Sequence, residues 1–451
     1  MVAAEFASTL GVRVACAERD RIGGDCLWTG CVPSKALLAS AKAAHTLRDA
    51  GTYGLTAAEP EVDTARVWGR IHAIQDEIAR TDDNADRFRA LGVDVLPGDA
   101  RLTSPTTVRV GEQEHTTRFV LVATGSRPAL PPIDGLAAAA PLTSERIFAL
   151  ARAPRSIVMI GAGPVSIELA QGLRRLGAEV TVLQRGSRVL AREEPVLAER
   201  LLARLRAEGV EVVTDVQADR VSVGTGGCPK TVHAGERSWC AEEIFVGAGR
   251  TPTVAGLGLD EVGVQLGEQG VVVDGALRSS VRSVFAAGDV TGGARFTHAA
   301  GYEAARAVRN MFLPGSSRGP YLVPWCTFTD PELAHAGLTE SAARAQHGDR
   351  AVRVWRHDLA HSDRARTDSA SDGELRVVTA KGRIVGAHVL APNAGELIGE
   401  LALAIDRRLR LADLATVVHV YPTIALAIQQ LASEAAYERA RRLRWLVRSS
   451  A

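Results

Sequence analysis

Residues 23–35 read Gly23-Gly24-Asp25-Cys26-Leu27-Trp28-Thr29-Gly30-Cys31-Val32-Pro33-Ser34-Lys35, and the fold is decided there. Two cysteines stand five positions apart, and an alanine-rich helical run over 36–47 follows them. In a regular helix, residues five apart have Cα atoms roughly 8–9 Å apart. A disulfide wants about 4.4–6.8 Å. The pair therefore closes only if Cys26 lies in an irregular turn and the helix starts near Cys31. Pro33 fits a first helical turn. Cys31 then sits at the positive end of the helix dipole, which stabilises a thiolate. Lys35, one of only four lysines, adds a cation about one turn along. The alternatives are two buried thiols or half a zinc site, and zinc wants four ligands at tighter spacings.

The rest of the composition narrows the class. The 451 residues leave room for about three domains, and 46% apolar with 23% charged content is globular. A formal net charge of +1 calls for neither nucleic acid nor a strongly acidic partner. No apolar run is long enough for a bilayer and no leader opens the chain, so the expected location is the cytoplasm. The other cysteines, Cys16, Cys228, Cys240 and Cys326, are scattered and read as separate buried or inert thiols.

Outward from the cysteines, a pattern of apolar strand, small-residue turn and helix recurs over 10–18, 156–184 and 284–310, which implies parallel α/β domains. From about Pro320 the texture changes. Stretches 323–329, 352–356, 375–379 and 384–391 read as an antiparallel sheet, followed by helices over 393–409 and 423–447. The expected fold class is α/β: two nucleotide-binding, three-layer Rossmann-like domains plus a C-terminal α+β dimerisation domain. The last helix carries Arg439, Arg441, Arg442, Arg444 and Arg448 beside apolar residues. A solvated or dimer-packed tail is favoured there over contact with a membrane surface.

The second motif is a strand over 156–160 followed by Gly161-Ala162-Gly163-Pro164-Val165-Ser166 and a helix. Gly161 permits a tight turn and Gly163 lets the backbone approach a pyrophosphate at the helix N-terminus. Ser166 takes the place of a third glycine, and a phosphate-free turn is the competing reading. The next strand ends on Gln184 where an acid would bind ribose hydroxyls. Arg185 and Arg188 follow and suit a 2′-phosphate, which favours NADPH over NADH.

With these residues in place, G-G-D-C-x-x-x-G-C-V-P-S-K resembles the redox motif of the class I pyridine nucleotide-disulfide oxidoreductases. That family includes dihydrolipoamide dehydrogenase, glutathione reductase and mercuric reductase, and the likeness runs through essentially the whole chain. The resemblance implies a homodimeric flavoenzyme that binds FAD and passes electrons from NAD(P)H through a Cys26–Cys31 disulfide to a small-molecule acceptor. Cys26 would be the interchange thiol and Cys31 the thiolate against the flavin, with Glu168 paired to Lys35. Glu18 would hold the adenosine ribose. Ala123-Thr124-Gly125 and Gly288-Asp289 resemble two further flavin-contacting turns. No resident metal is implied. The resemblance divides the chain into an FAD-binding segment (1–145), an NAD(P)-binding domain (146–265), a second FAD segment (266–318) and a dimerisation domain (319–451).

Three departures stand out. Trp28 replaces an asparagine common between the family's cysteines. Residues 1–6 already read as the helix after the family's first strand and FAD glycine turn, so a start placed too far downstream is expected. The family's H-P-T-x-x-E reads His419-Val420-Tyr421-Pro422-Thr423-Ile424-Ala425-Leu426, with Tyr421 at the histidine position and Leu426 at the glutamate position. Tyrosine, with a pKa of about 10, is a poor base at neutral pH, whereas histidine is poised there. Mercuric reductases also carry a tyrosine near this point, but they end on a cysteine pair, and this chain ends 448–451 without one. The rival expectation is a non-catalytic or redox-sensing relative with impaired FAD binding.

Overall fold

A computed structural model describes residues 1–224, 227–315 and 317–442. The arginines at 444 and 448 lie outside the described residues. The architecture is the expected α/β one with a C-terminal antiparallel domain. No described helix is long and apolar enough to cross a membrane.

The first region holds two separate pairs of parallel strands. Val14–Glu18 runs beside Val93–Pro97, with Val14 opposite Val93. Val120–Val122 runs beside Val284–Ala286. The strand expected over 10–18 begins only at Val14, because Gly11 takes a left-handed φ of +71° as the chain leaves the helix Val2–Thr9. That helix packs on both the first strand and the helix Thr297–Phe312.

The redox helix Cys31–Arg48 is the hinge of the architecture. It packs on Thr64–Thr81 and on the nucleotide helix Pro164–Arg175. Leu37, Trp68, Ile71, Ile167 and Leu173 are all buried in one apolar core, which fixes the redox helix against the nucleotide-binding region. Gly172 allows the close approach, since a Cβ there would sit 3.3 Å from Leu38.

The nucleotide-binding sheet has four parallel strands in the order Glu211–Val213, Glu179–Leu183, Ser156–Ile160 and Glu243–Val246. An antiparallel flap, Arg220–Val223, Lys230–Ala234 and Arg237–Ala241, stands beside it. This flap corrects the reading of two cysteines as separate inert thiols. Cys228 and Cys240 are joined by a disulfide, their Cα atoms 5.6 Å apart. The hairpin supplies that proximity, which a spacing of 12 along the chain did not advertise.

The C-terminal sheet has five antiparallel strands ordered Trp325–Thr327, Glu332–Gly337, Arg383–Ala391, Glu374–Ala380 and Val352–Asp358. The helices Ala394–Asp406 and Leu426–Arg442 pack against its core. The second strand, Glu-Leu-Ala-His-Ala-Gly, has no β-branched or aromatic residue to announce it. It forms because Arg383–Ala391 pairs with all six of its residues and Trp325–Thr327 with Leu333–His335.

Candidate active site

The redox helix starts at Cys31, with Gly30 as its N-cap. Cys26, expected in an irregular turn, instead lies in a one-turn helix, Gly24–Trp28. Gly30 lets the two pieces meet, because a Cβ there would stand 2.9 Å from the Asp25 carbonyl oxygen. Buried Gln75 donates from Nε2 to the carbonyls of Leu27 and Trp28, both at 2.9 Å, and pins the loop between the cysteines. Trp28 makes its own polar contact, Nε1 donating to the Ile22 carbonyl at 2.8 Å.

Cys26 and Cys31 stand as two hydrogen-bonded thiols, the reduced form of a redox-active pair. Their shared proton is unevenly placed. Cys31 is pulled down to about 6, first by the hydrogen bond from Cys26, then by Thr297 and the Lys35 charge, all acting against burial. Cys26 is pushed well above the usual thiol range by its bond to Cys31 and by burial. The negative charge thus belongs to Cys31 and the proton to Cys26. Cys31 Sγ lies 3.4 Å from the Thr297 hydroxyl at the start of another helix.

Lys35 and Glu168 are brought together: Nζ lies 2.7 Å from Oε2. Glu168 is buried, only 6% exposed, and its other oxygen accepts from the Phe328 backbone N–H at 2.8 Å. The Phe328 ring lies under Lys35 Nζ at 4.4 Å. A lysine held from both sides keeps its charge near the cysteine helix.

At the nucleotide turn, Gly161 has φ +99° and a Cβ would meet the Gly247 carbonyl oxygen at 2.7 Å. Gly163 caps the helix Pro164–Arg175 with no side-chain acceptor, which leaves first-turn N–H groups for a phosphate. Ser166 is fully buried against Gly247, in the helix–strand packing position of a third glycine. Gln184 turns inward, its Oε1 accepting from the Ala162 N–H at 3.0 Å. Arg185 is exposed, and Arg188 donates to the Glu193 carbonyl at 3.1 Å.

The remaining expected contacts sit at the carboxyl ends of parallel strands, where open α/β sheets bind ligands. Glu18 ends the first strand and accepts from the Asp20 N–H. Ala123 and Thr124 are exposed beyond Val120–Val122, Thr124 donating to the Thr253 carbonyl, and Gly125 has φ +67°. Gly288 has φ +78°, with a Cβ position 2.9 Å from Ala300 Cβ. Asp289 accepts from Ser126 Oγ at 2.6 Å. Turns placed at strand ends in this way, and the turn at Gly161 and Gly163, are of the kind that hold dinucleotides.

Sequence reasoning missed Thr297, Gln75 and Arg250. Arg250 binds Asp25 at 2.5 Å and Ser126 Oγ at 2.6 Å, and lies 3.7 Å from Asp289, so it ties the redox loop to the flavin-side turn. Its partners are 225, 124 and 39 positions away, and no local pattern signals it.

Tyr421 and His419 are each engaged by residues other than the cysteines. Tyr421 is exposed and donates to Asp363 Oδ2 at 3.1 Å. His419 has Nδ1 3.1 Å from the Val417 carbonyl and Nε2 3.1 Å from Glu400. Leu426 lines a cavity of about 390 Å³ with His357, His361, Gln430, Glu434 and Tyr437.

A dithiol at a helix N-terminus, between two dinucleotide turns and beside a dimerisation-type sheet, defines a pyridine-nucleotide flavoprotein. The chain belongs to the pyridine nucleotide-disulphide oxidoreductases: that family model matches residues 1–304, and its dimerisation domain matches 323–432. The chain is 34% identical over 435 residues to mercuric reductase of Shigella flexneri, covering 94% of this chain and 77% of that protein. It is 32% identical over 444 residues to dihydrolipoyl dehydrogenase of Geobacillus stearothermophilus, covering 96% and 93%. LpdA of Mycobacterium tuberculosis superposes with a TM-score of 0.86 at 27% identity, covering 96% of each chain. A variant of the HOCl-induced flavoprotein disulfide reductase RclA of Escherichia coli, as its Cu(II) complex, gives 0.86 at 25% identity, covering 96% of each. The protein is therefore an enzyme of the FAD-dependent disulfide oxidoreductase class, using a pyridine nucleotide, and the non-catalytic alternative is not favoured. The dimerisation domain supports a homodimer.

Proposed function

We propose that this enzyme is a cytoplasmic, NADPH-preferring reductase whose acceptor is a small oxidant that needs no protein base, such as a soft metal ion or a quinone. The observation that carries the acceptor class is the state of His419. Both of its ring nitrogens are engaged within its own chain, one by the Val417 carbonyl and the other by the Glu400 carboxylate, so neither is turned freely toward a thiol. Dithiol–disulfide exchange with a substrate disulfide must move the proton held on Cys26. A positioned acid–base group typically contributes ~10²–10⁴-fold to such a step. A soft cation displaces a thiol proton by its own affinity for sulfur.

Bound flavin would supply the two-electron relay between nicotinamide and disulfide. The chain's residues supply the rest. Glu18, the 123–125 turn, Gly288 and Asp289 would hold it, while Gly161, Gly163 and Arg185 would hold the coenzyme. Lys35, steadied by Glu168, keeps the charge on Cys31, and Cys26 presents its sulfur to the acceptor. The domain division at 145, 265 and 318 goes with these roles. Across the homodimer, segment 417–424 would lie at the partner subunit's Cys26, as the family resemblance implies.

The test is a set of specificity constants on the flavin-loaded protein for lipoamide, glutathione disulfide, mercuric ion and a quinone. Mercuric ion or quinone should exceed both disulfides by about 10²-fold, the low end of what a missing acid–base group costs. Equal turnover of either disulfide overturns the acceptor class. Replacing Arg185 and Arg188 together should raise KM for NADPH far more than for NADH, and equal use of both by the parent protein overturns the coenzyme preference.

A further inference from the structure

Within segment 417–424, Val418 is 90% exposed, Val420 74% and Tyr421 66%. A tyrosine so exposed would ordinarily sample several rotamers, and holding one costs entropy. Tyr421 is nevertheless held. Its hydroxyl donates to Asp363 Oδ2 at 3.1 Å. Asp363 opens the short helix Asp363–Thr367, and the preceding Ser362 caps that helix by accepting from the Ala365 N–H. The other carboxylate oxygen, Oδ1, lies 3.9 Å from Arg366 Nη1. The result is a chain of three side chains, Arg366 to Asp363 to Tyr421.

The partner of Tyr421 comes from a place the family motif does not use. In H-P-T-x-x-E the orienting carboxylate is five residues beyond the base. Here Leu426 holds that position and turns its side chain to a cavity. Asp363 lies 58 residues earlier, on a different element.

We propose that Asp363 is a positioning residue for Tyr421, holding the phenol so that its proton points inward and its oxygen lone pairs point outward. This rests on the proposed placement of segment 417–424 at the partner subunit's Cys26. A phenol whose proton is committed to a carboxylate is a hydrogen-bond acceptor on its free side. The outward oxygen therefore receives the Cys26 S–H or a cationic acceptor, and no proton is transferred to it. The bond to Asp363 also holds the Tyr421 phenol above its ordinary range, which keeps it neutral. The arrangement selects for an acceptor carrying positive charge over an anionic one.

The experiment uses the flavin-loaded dimer and five forms: parent, Tyr421→Phe, Asp363→Ala, Asp363→Asn, and the Tyr421→Phe/Asp363→Ala double variant. Rapid mixing separates reduction by NADPH from reoxidation by mercuric ion. Tyr421→Phe and Asp363→Ala should each slow reoxidation by about tenfold or more, the size of one hydrogen bond to a charged group. Asp363→Asn, which keeps an acceptor oxygen, should lie between them and the parent. Reduction by NADPH should not change. The double variant should be no slower than Tyr421→Phe alone, because Asp363 acts only through the phenol. Ultraviolet titration should show one tyrosine moving down in pH in Asp363→Asn.

Additive slowing in the double variant, or slow Tyr421→Phe beside normal Asp363→Ala, overturns the role of Asp363 and leaves the cross-dimer reading standing. Unchanged reoxidation in Tyr421→Phe overturns both. If Asp363→Ala misfolds, Asp363→Asn and the titration decide the matter, and an unmoved tyrosine titration in it overturns the proposal.

Discussion

The two cysteine pairs serve different purposes. Cys26 and Cys31 are five apart and stand as thiols, while Cys228 and Cys240 are twelve apart and are bonded. In the flap, antiparallel pairing supplies the backbone proximity that closure of Cys228–Cys240 needs. Reactivity depends on charge. Cys31 has a helix N-terminus, a thiol donor, the Thr297 hydroxyl and the Lys35 charge acting on it. Cys228 has a carbonyl and the Thr231 hydroxyl. One pair is built to exchange electrons and the other to hold a loop.

The largest effect on thiol reactivity that sharpens this contrast is expected from Cys31→Ser. With Cys31 pulled down to about 6, its thiolate is present above that pH and lost below it. At pH 6 roughly half of it is ionised, against under about 1% of an ordinary thiol of pKa ~8.5. A low-pKa thiolate is intrinsically less nucleophilic, which returns part of that advantage. Alkylation by iodoacetamide at pH 6 should still run about tenfold faster in the parent than in Cys31→Ser. The flap cysteines, once reduced, should react no faster than free cysteine. If they match Cys31, the contrast collapses.

An effect of another kind, on local stability and not on reactivity, is expected from Cys228→Ser. Closing a loop of this length confines the unfolded chain and stabilises by ~3 kcal/mol in the chain-entropy account. Hydrogen exchange in Lys230–Ala234 and Arg237–Ala241 should speed up accordingly under oxidising conditions, and the difference should vanish in reductant. A slow flap in the variant would mean that strand pairing alone suffices.

These comparisons also mark what a linear sequence carries. The redox helix, the nucleotide turn and four of the five C-terminal strands were legible because each rests on neighbours within about a dozen positions. Pro33, Gly161 and the β-branched run 375–379 state their backbone requirements locally. The strand Glu332–Gly337 was not legible, since its conformation is imposed by the ladders on either side. The same holds for the site. Cys26, Cys31 and Lys35 are one local statement, and Glu168 entered only through resemblance. Thr297, Arg250 and Asp363 meet their partners across 266, 225 and 58 positions, and only the assembled fold selects them.

The smallest expected effect tests whether the charge near Cys31 is supplied or merely nearby. Lys35 lies one turn beyond Cys31 and is held by buried Glu168. An opposite charge within a few ångströms lowers an acid's pKa by about 1–3 units, and solvent weakens that for a lysine 38% exposed at its side chain. Lys35→Met should therefore raise the apparent pKa of Cys31 alkylation by about one unit. The sign follows from which form the cation favours: removing it destabilises thiolate, so reactivity is lost at a higher pH than in the parent. Glu168→Gln separates two contributions. Its charge opposes the thiolate, so its removal alone would lower the pKa, but it also holds Lys35 in place. A fall in pKa in Glu168→Gln would show that Lys35 keeps its position on the Phe328 ring without the carboxylate. A rise would show that the carboxylate's main effect is to hold the lysine. If Lys35→Met leaves the pKa unmoved, the helix terminus and the two hydroxyl and thiol donors account for the thiolate by themselves.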